Sequence, residues 1–180
     1  LTKVATSSEL TELLLQQKVD LALIESPIFN PNITYREWME DELVVVSRSK
    51  LPTLLKKEDL FTFDWICREE ESNTRRVIYE MFRQIDVDCK NFNVKGIATS
   101  STTIKQTLLK SPLNGVPTVS ILSKYIIADE VKQGLLHVAQ IKDIRLLRQF
   151  YLCCLKDRVQ DALIDSTTDF LTHKSIQPSF

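Results

Sequence analysis

Trp65-Ile66-Cys67-Arg68-Glu69-Glu70-Glu71-Ser72-Asn73-Thr74-Arg75-Arg76 is the stretch that decides the fold. Trp65–Cys67 closes a short apolar strand that starts at Phe63. Val77, Ile78, Met81 and Phe82 then recur at helical spacing, which predicts an amphipathic helix to about Gln84 with one buried face. Ser72 stands at the N-cap, so the first free backbone N–H groups point at whatever lies above the strand end. Two hydroxyls, Ser72 and Thr74, and two guanidinium groups, Arg75 and Arg76, gather there. A helix start with hydroxyls and arginine is a ready anion site, which points to the binding of a small anionic molecule. The preceding Glu69-Glu70-Glu71 run is expected to be a solvated loop whose charge favours the same helix start.

The same strand-then-helix grammar extends in both directions. Leu1–Ala5 is strand-like, and Thr6-Ser7-Ser8-Glu9 is a capping box opening a helix to about Lys18 through Leu10, Leu13 and Leu14. Asp20–Glu25 is a short, nearly continuous apolar strand that Pro27 and Asn30-Pro31-Asn32 end. Ile33–Met39 and Glu42–Ser47 read as two strands, and Leu51–Asp59 as a surface connection with a short helical turn. Phe92–Ala98 is a strand, after which Thr99-Ser100-Ser101 caps a helix through Ile104, Leu108 and Leu109. Pro117–Leu122 is a buried strand, followed from Ser123 by a helix that stops at Gly134. Leu135–Ile141 and Leu147–Leu155 are strands, and a last helix from about Val159 to His173 is expected to bury Leu163, Ile164, Phe170 and Leu171. Strands alternating with helices predict an α/β fold with mostly parallel sheets. Three hydroxyl clusters at helix starts, Thr6-Ser7-Ser8, Ser72-Asn73-Thr74 and Thr99-Ser100-Ser101, lie where ligands bind in such sheets, beyond the carboxyl ends of the strands. Any one of them alone is read as a simple cap; three together favour a shared cleft.

Composition narrows the function classes. The 180 residues are 43% hydrophobic and 26% charged, as expected of a globular chain with a real core. With 23 basic and 24 acidic side chains the net charge is −1, which is not the footprint of a nucleic-acid-binding surface. No apolar run approaches the ~20 residues of a membrane span. The start at Leu1, inside an apolar stretch and without an initiator Met, reads as a fragment of something longer. Cys67, Cys89, Cys153 and Cys154 fit neither CxxC nor a finger pattern and are expected to be buried, reduced thiols. His137 reads as a strand or edge residue and His173 as a helix-end residue.

Most catalytic signatures are missing. Gly96, Gly115 and Gly134 are the only glycines, too few and too far apart for GxGxxG or a P-loop. There is no Gly-x-Ser-x-Gly elbow, neither histidine has an evident nucleophile partner, and no metal-ligand spacing occurs. No catalytic residue, metal or cofactor is expected, and the chain is read as a binding protein rather than an enzyme.

Four stretches in this order resemble the effector-binding domain of LysR-type transcriptional regulators: Val4–Leu10, Val19–Pro27, Asp41–Val46, and Trp65–Arg68 with Ser72–Arg75. The last is similar to a "W-I-x-R-E-x-x-S-x-T-R" element of members that regulate sulfur metabolism and carbon fixation. Ser120–Ser123 and Arg148–Leu152 also match in order and spacing, so the likeness covers nearly the whole chain. It implies two α/β lobes like type 2 periplasmic binding proteins joined by two crossover strands, with residues 1–46 and 150–180 as lobe one and 47–149 as lobe two. It also implies a small anionic effector in the cleft between them, held by Thr6 and Ser7 from lobe one and by Ser72, Thr74 and Arg75 from lobe two, with Ser100 and Ser101 nearby. Arg75 serves either the anion or a structural ion pair with Glu71 or Glu25. A cytoplasmic dimer, and a tetramer for the full-length regulator, is implied, with helix 9–18 a candidate for the dimer interface, and DNA contact would come only from an N-terminal winged helix-turn-helix absent here.

The sequence also departs from the family. The opening strand of lobe one is missing, Asn114-Gly115-Val116-Pro117-Thr118 replaces a glycine-rich turn, and Glu71-Ser72-Asn73 replaces Gly-Ser-Gly. Effector identity therefore does not transfer from relatives. Two rivals share the fold: a periplasmic or surface solute-binding protein, and an enzyme such as a dehydratase, for which Glu25 is the one nameable acid or base.

Overall fold

The computed structural model describes residues 2–25, 27, 29–159 and 161–173. They fall into two compact units, one drawn from Leu1–Asp41 and Arg148–Gln177, the other from Glu42–Leu147.

In the first unit, α1 (Ser7–Leu15) is followed by β1 (Ala22–Glu25), the first part of β2 (Ile33–Ser47), β8 (Leu146–Leu155) and α5 (Ala162–His173). β8 lies between β1 and β2, antiparallel to β1, with Ile24 opposite Tyr151. Leu14 of α1 packs with Ala22, Ile24, Ile33 and Cys153 in a small core. The Thr6–Glu9 capping box forms as expected, with Thr6 Oγ1 accepting from the Glu9 N–H and Glu9 Oε2 accepting from the Thr6 N–H. The helix is shorter than its apolar stripe suggests, because Gln17 takes a left-handed φ of 55° and ends it early. Residues 2–5 are not a strand, contrary to expectation, and Leu1 lies outside the described residues.

The second unit holds the remainder of β2, β3 (Leu54–Leu55), β4 (Asp64–Arg68), α2 (Asn73–Arg83), β5 (Asn93–Ala98), α3 (Ser101–Leu109), β6 (Thr118–Ser123), α4 (Lys124–Lys132) and β7 (His137–Ile141). Its sheet runs β2-β6-β4-β5, with β7 on the other side of β2 and β3 beside β7. β4 is parallel to both β5 and β6, whereas β2 is antiparallel to β6 and β7. The sheet is therefore mixed, not mostly parallel. His137 is the first residue of β7, half-buried and paired with Ser47 of β2, a strand residue as expected.

Period-two alternation divides the side chains between two faces. Val45, Trp65 and Ile121 join Leu55, Leu60, Phe82 and Phe92 in one core, while Val44, Val46, Ile66 and Leu122 pack with Ile104, Leu108 and Ile127 in another. Trp65 stacks on Phe92 at a centroid separation of 4.4 Å, and its indole N–H donates to the Leu60 carbonyl at 2.7 Å. Gly134, at φ 71°, terminates α4 as expected.

Two readings are corrected. The strands expected at 33–39 and 42–47 are one strand of 15 residues. Asp41, in the gap between the two expected strands, is 1% exposed and is held inside the strand by Arg148, whose Nε and Nη2 both lie 2.7 Å from its Oδ2. The last helix begins at Ala162 rather than near Val159, with the Asp161 carboxylate accepting from the Leu163 N–H. It buries Ile164 and Thr168 but leaves Leu163 and Phe170 exposed. His173 is its final residue, and its side chain lies outside the described residues.

Candidate functional site

The parallel pairing of β4 with β5 brings two helix starts to one end of the sheet. Arg68, the last residue of β4, is in register with Ala98, the last of β5. The chain then needs four residues to reach the cap Ser72 and two to reach the cap Ser100. Both caps are made: Ser72 Oγ accepts from the Arg75 N–H at 3.4 Å, and Ser100 Oγ accepts from the Thr103 N–H at 3.1 Å. The remaining first-turn N–H groups of α2 and α3 carry the positive ends of both helix dipoles.

Arg68 links the two starts. Its Nη1 donates to Ser101 Oγ at 3.4 Å, while Nε and Nη2 grip the Glu69 carboxylate at 2.9 and 2.8 Å. That pairing holds the Glu69 carboxyl below the usual carboxylate range. Arg68 was not singled out in the sequence as a site residue, although a cation at the carboxyl end of a strand facing a hydroxyl cap was the available signal. Arg76 was, and the structure turns it away: it is exposed and pairs with Glu80 one turn on, at 3.3 Å. Residue 76 lies four positions after the cap, on the solvent side of the helix, so sequence proximity did not place it above the strand end.

Arg75 folds back against its own helix. Nη1 donates to the Arg68 carbonyl at 2.7 Å, and Nε and Nη2 donate to the Tyr79 hydroxyl at 3.1 and 2.9 Å. Its nearest carboxylate is Glu70, at 3.8 Å; neither of the expected partners, Glu71 and Glu25, pairs with it. Glu25 belongs to the other unit and pairs with Arg148 at 2.9 Å. Thr74 lies half-buried in the first turn of α2.

Thr6 and Ser7 are in the first unit. Thr6 is exposed and spends its hydroxyl on the capping box. Ser7 Oγ donates to the Glu25 carbonyl at 3.1 Å, which places the start of α1 at the carboxyl end of β1. So Arg75 and Ser101 both bond to Arg68, Ser72, Thr74 and Ser100 lie in the same two helix starts of that unit, and Thr6 and Ser7 lie in the other unit.

The four cysteines are free thiols, three buried and Cys67 half-buried. Burial pushes Cys89 and Cys153 up to about 12, and it raises Cys67 and Cys154 as well. Such thiols behave as small apolar side chains, not nucleophiles. Among the described residues no group of three or more His, Cys, Asp or Glu could hold a metal ion, and no helix is long and apolar enough to cross a membrane.

A family model described as LysR substrate binding domain matches residues 2–175. The chain is 32% identical over 139 residues to a protein of Gracilaria tenuistipitata var. liui named a probable RuBisCO transcriptional regulator, covering 73% of this chain and 43% of that one. The chain thus spans about half the length of the curated relatives it matches. Among solved structures it is similar to the CcmR regulatory domain of Synechocystis PCC6803 in complex with 2-PG, with TM-score 0.76, 22% identity, and coverage of 95% of this chain and 80% of that one. It is also similar to the effector binding domain of QuiR in complex with shikimate, with TM-score 0.71, 20% identity and coverage of 94% and 78%. These neighbours have the two-lobe type 2 periplasmic-binding-protein-like fold. The match favours a regulator's binding domain over a solute-binding protein or an enzyme. By the extent of that match, the chain belongs to the LysR substrate binding domain family.

Proposed function

We propose that this chain is the effector-sensing part of a DNA-binding transcriptional regulator, and that it binds a small anionic metabolite. The observation that carries the anion reading is the pairing of two hydroxyl-capped helix starts on neighbouring parallel strands, with Arg68 between them. Ser72, Thr74, Ser100 and Ser101 supply hydroxyls, the first turns of α2 and α3 supply N–H donors, and Arg68 and Arg75 supply charge. Thr6 and Ser7 offer hydroxyls of the same kind at the carboxyl end of β1. The two units stand for the two lobes, and effector binding shifts their equilibrium or that of a dimer, so repositioning DNA-binding domains outside this chain. The intact regulator is read as a cytoplasmic dimer.

The test is a thermal-shift titration with sulfate, thiosulfate, phosphoenolpyruvate, 2-PG, shikimate and simple mono- and dicarboxylates. A ligand at 100 times its Kd stabilises by roughly 2.7 kcal/mol. One selective, saturable stabilisation that Thr74→Ala and Ser101→Ala each weaken supports the reading. A folded protein that none of these compounds stabilises removes the anionic effector.

A further inference from the structure

The guanidinium fork on which the proposed anion site depends is taken by a carboxylate of the chain itself. Glu69 sets both its oxygens on Arg68, Oε2 at 2.9 Å from Nε and Oε1 at 2.8 Å from Nη2, the bidentate pairing that a free anion would seek. The third nitrogen, Nη1, reaches Ser101 Oγ at 3.4 Å. The pair is largely withdrawn from solvent, with Arg68 19% and Glu69 24% exposed. The backbone fixes Glu69 on both sides. Arg68 ends β4 in register with Ala98, and the Ser72 N–H donates to the Glu69 carbonyl at 3.2 Å, closing the turn into α2.

A carboxylate tethered in this way competes with any free anion for Arg68. A short tether keeps its local concentration in the millimolar range or above, and pairing takes no translational freedom from it, as it does from a free ligand. Exchanging Glu69 for a single carboxylate replaces one bidentate pair by an equal one and gains nothing. A ligand with a second negative charge does gain, because the first turns of α2 and α3 favour anionic charge, whereas Glu69 spends both oxygens on Arg68. The neighbouring Glu70 is different: it is 83% exposed and 3.8 Å from Arg75, so its hold on the site is weak.

We propose that Glu69 is an internal competitor for the effector: it holds the seat on Arg68 that the effector's anionic group takes, is displaced on binding, and so restricts the site to ligands carrying at least two negative charges. The inference rests on the anion reading of these helix starts and adds to it a ligand class and the group that gates entry. Removing the competitor should tighten binding about fivefold, the upper end of what a partly exposed ion pair contributes.

The experiment titrates the wild type, Glu69→Gln and Glu70→Gln with acetate, sulfate and phosphoenolpyruvate, reading affinity by calorimetry and following the Glu69 side-chain carboxyl carbon of the wild type by NMR. The expected result is that sulfate and phosphoenolpyruvate bind the wild type and move the Glu69 carboxyl signal, saturating with binding, while acetate does neither. Glu69→Gln should bind both dianions about fivefold tighter and should acquire binding of acetate. Glu70→Gln removes the same charge one residue away and should change affinity less than about twofold. The wild-type carboxyl signal stands alone if Glu69→Gln fails to fold. A Glu69 signal unmoved at saturation, equal tightening in Glu69→Gln and Glu70→Gln, weaker binding in Glu69→Gln, or acetate binding the wild type as tightly as sulfate would overturn the proposal and leave the anion site standing. Binding of no anion by the wild type or either variant would remove the anion site and the competitor together.

Discussion

Arg148→Met should be among the most damaging single substitutions in the first unit. Arg148 is 9% exposed and holds two carboxylates, Asp41 at 2.7 Å and Glu25 at 2.9 Å, which are 1% and 16% exposed. Removing the guanidinium strands two negative charges in a poorly hydrated place, and breaking a buried pair in this way costs about 3–5 kcal/mol. That is a large share of the roughly 5–15 kcal/mol that holds a domain folded. For a chain of this size each kcal/mol lowers Tm by about 2–4 °C, so a fall of roughly 6–20 °C is expected. The assay is urea unfolding and thermal melting of Arg148→Met beside the triple variant Arg148→Met/Asp41→Asn/Glu25→Gln. The triple variant removes the stranded charges and should recover most of the loss, because a neutral replacement of a buried ion cluster is often tolerated. A loss below about 1 kcal/mol for the single variant, or a triple variant no better than the single, would refute the account of why β2 continues through Asp41.

Other outcomes follow from the same physics. Ser72→Ala should cost about 1 kcal/mol through the lost cap of α2, read as a shift in the urea midpoint, even with no ligand present. Phe82→Ala should cost about 3–5 kcal/mol, because Phe82 is fully buried beside Phe92, and should be visible by the same method. The Glu69 carboxyl is lowered by its bonds to Arg68, so its contribution is present above the unfolded-state pKa and is lost as pH falls through the lower folded-state value. Glu69→Gln should therefore flatten the acid limb of a stability-against-pH profile and leave the neutral region's slope unchanged. Cys89 and Cys153, both pushed up to about 12, should resist a thiol reagent at pH 8 in the folded protein and react on unfolding, when all four cysteines become available. Labelling of either at the rate of a free thiol would contradict their burial.

Much of the fold was legible because helix starts carry local chemistry. Thr6, Ser72, Ser100 and Ser123 each cap the helix that the spacing assigns to them, and Gly134 ends α4. What escaped was long-range. The continuity of β2 depends on Arg148, more than a hundred residues away, neutralising Asp41. The mixed sheet follows from the antiparallel return of β2 beside β6 and β7, which apolar runs do not encode. Leu163 and Phe170 have the right residue types for a core, but the buried face of α5 passes through Ile164 and Thr168 instead. At the candidate site the capping roles of Ser72 and Ser100 were legible, whereas the placement of Arg68 and Arg76 was not. Arg76 and Arg68 are both near Ser72 in sequence, and only strand pairing decides that Arg68 reaches Ser101 while Arg76 meets Glu80.

The measurement that tests the central claim most directly is an amide chemical-shift map of the protein titrated with the anion that stabilises it best. Binding at paired helix starts predicts that the largest shifts, saturating together, fall on the backbone N–H groups of Asn73–Arg75 and Ser101–Thr103, and that Ser101→Ala and Thr74→Ala both weaken the midpoint. Saturating shifts confined to other segments, with both helix starts silent, would contradict it.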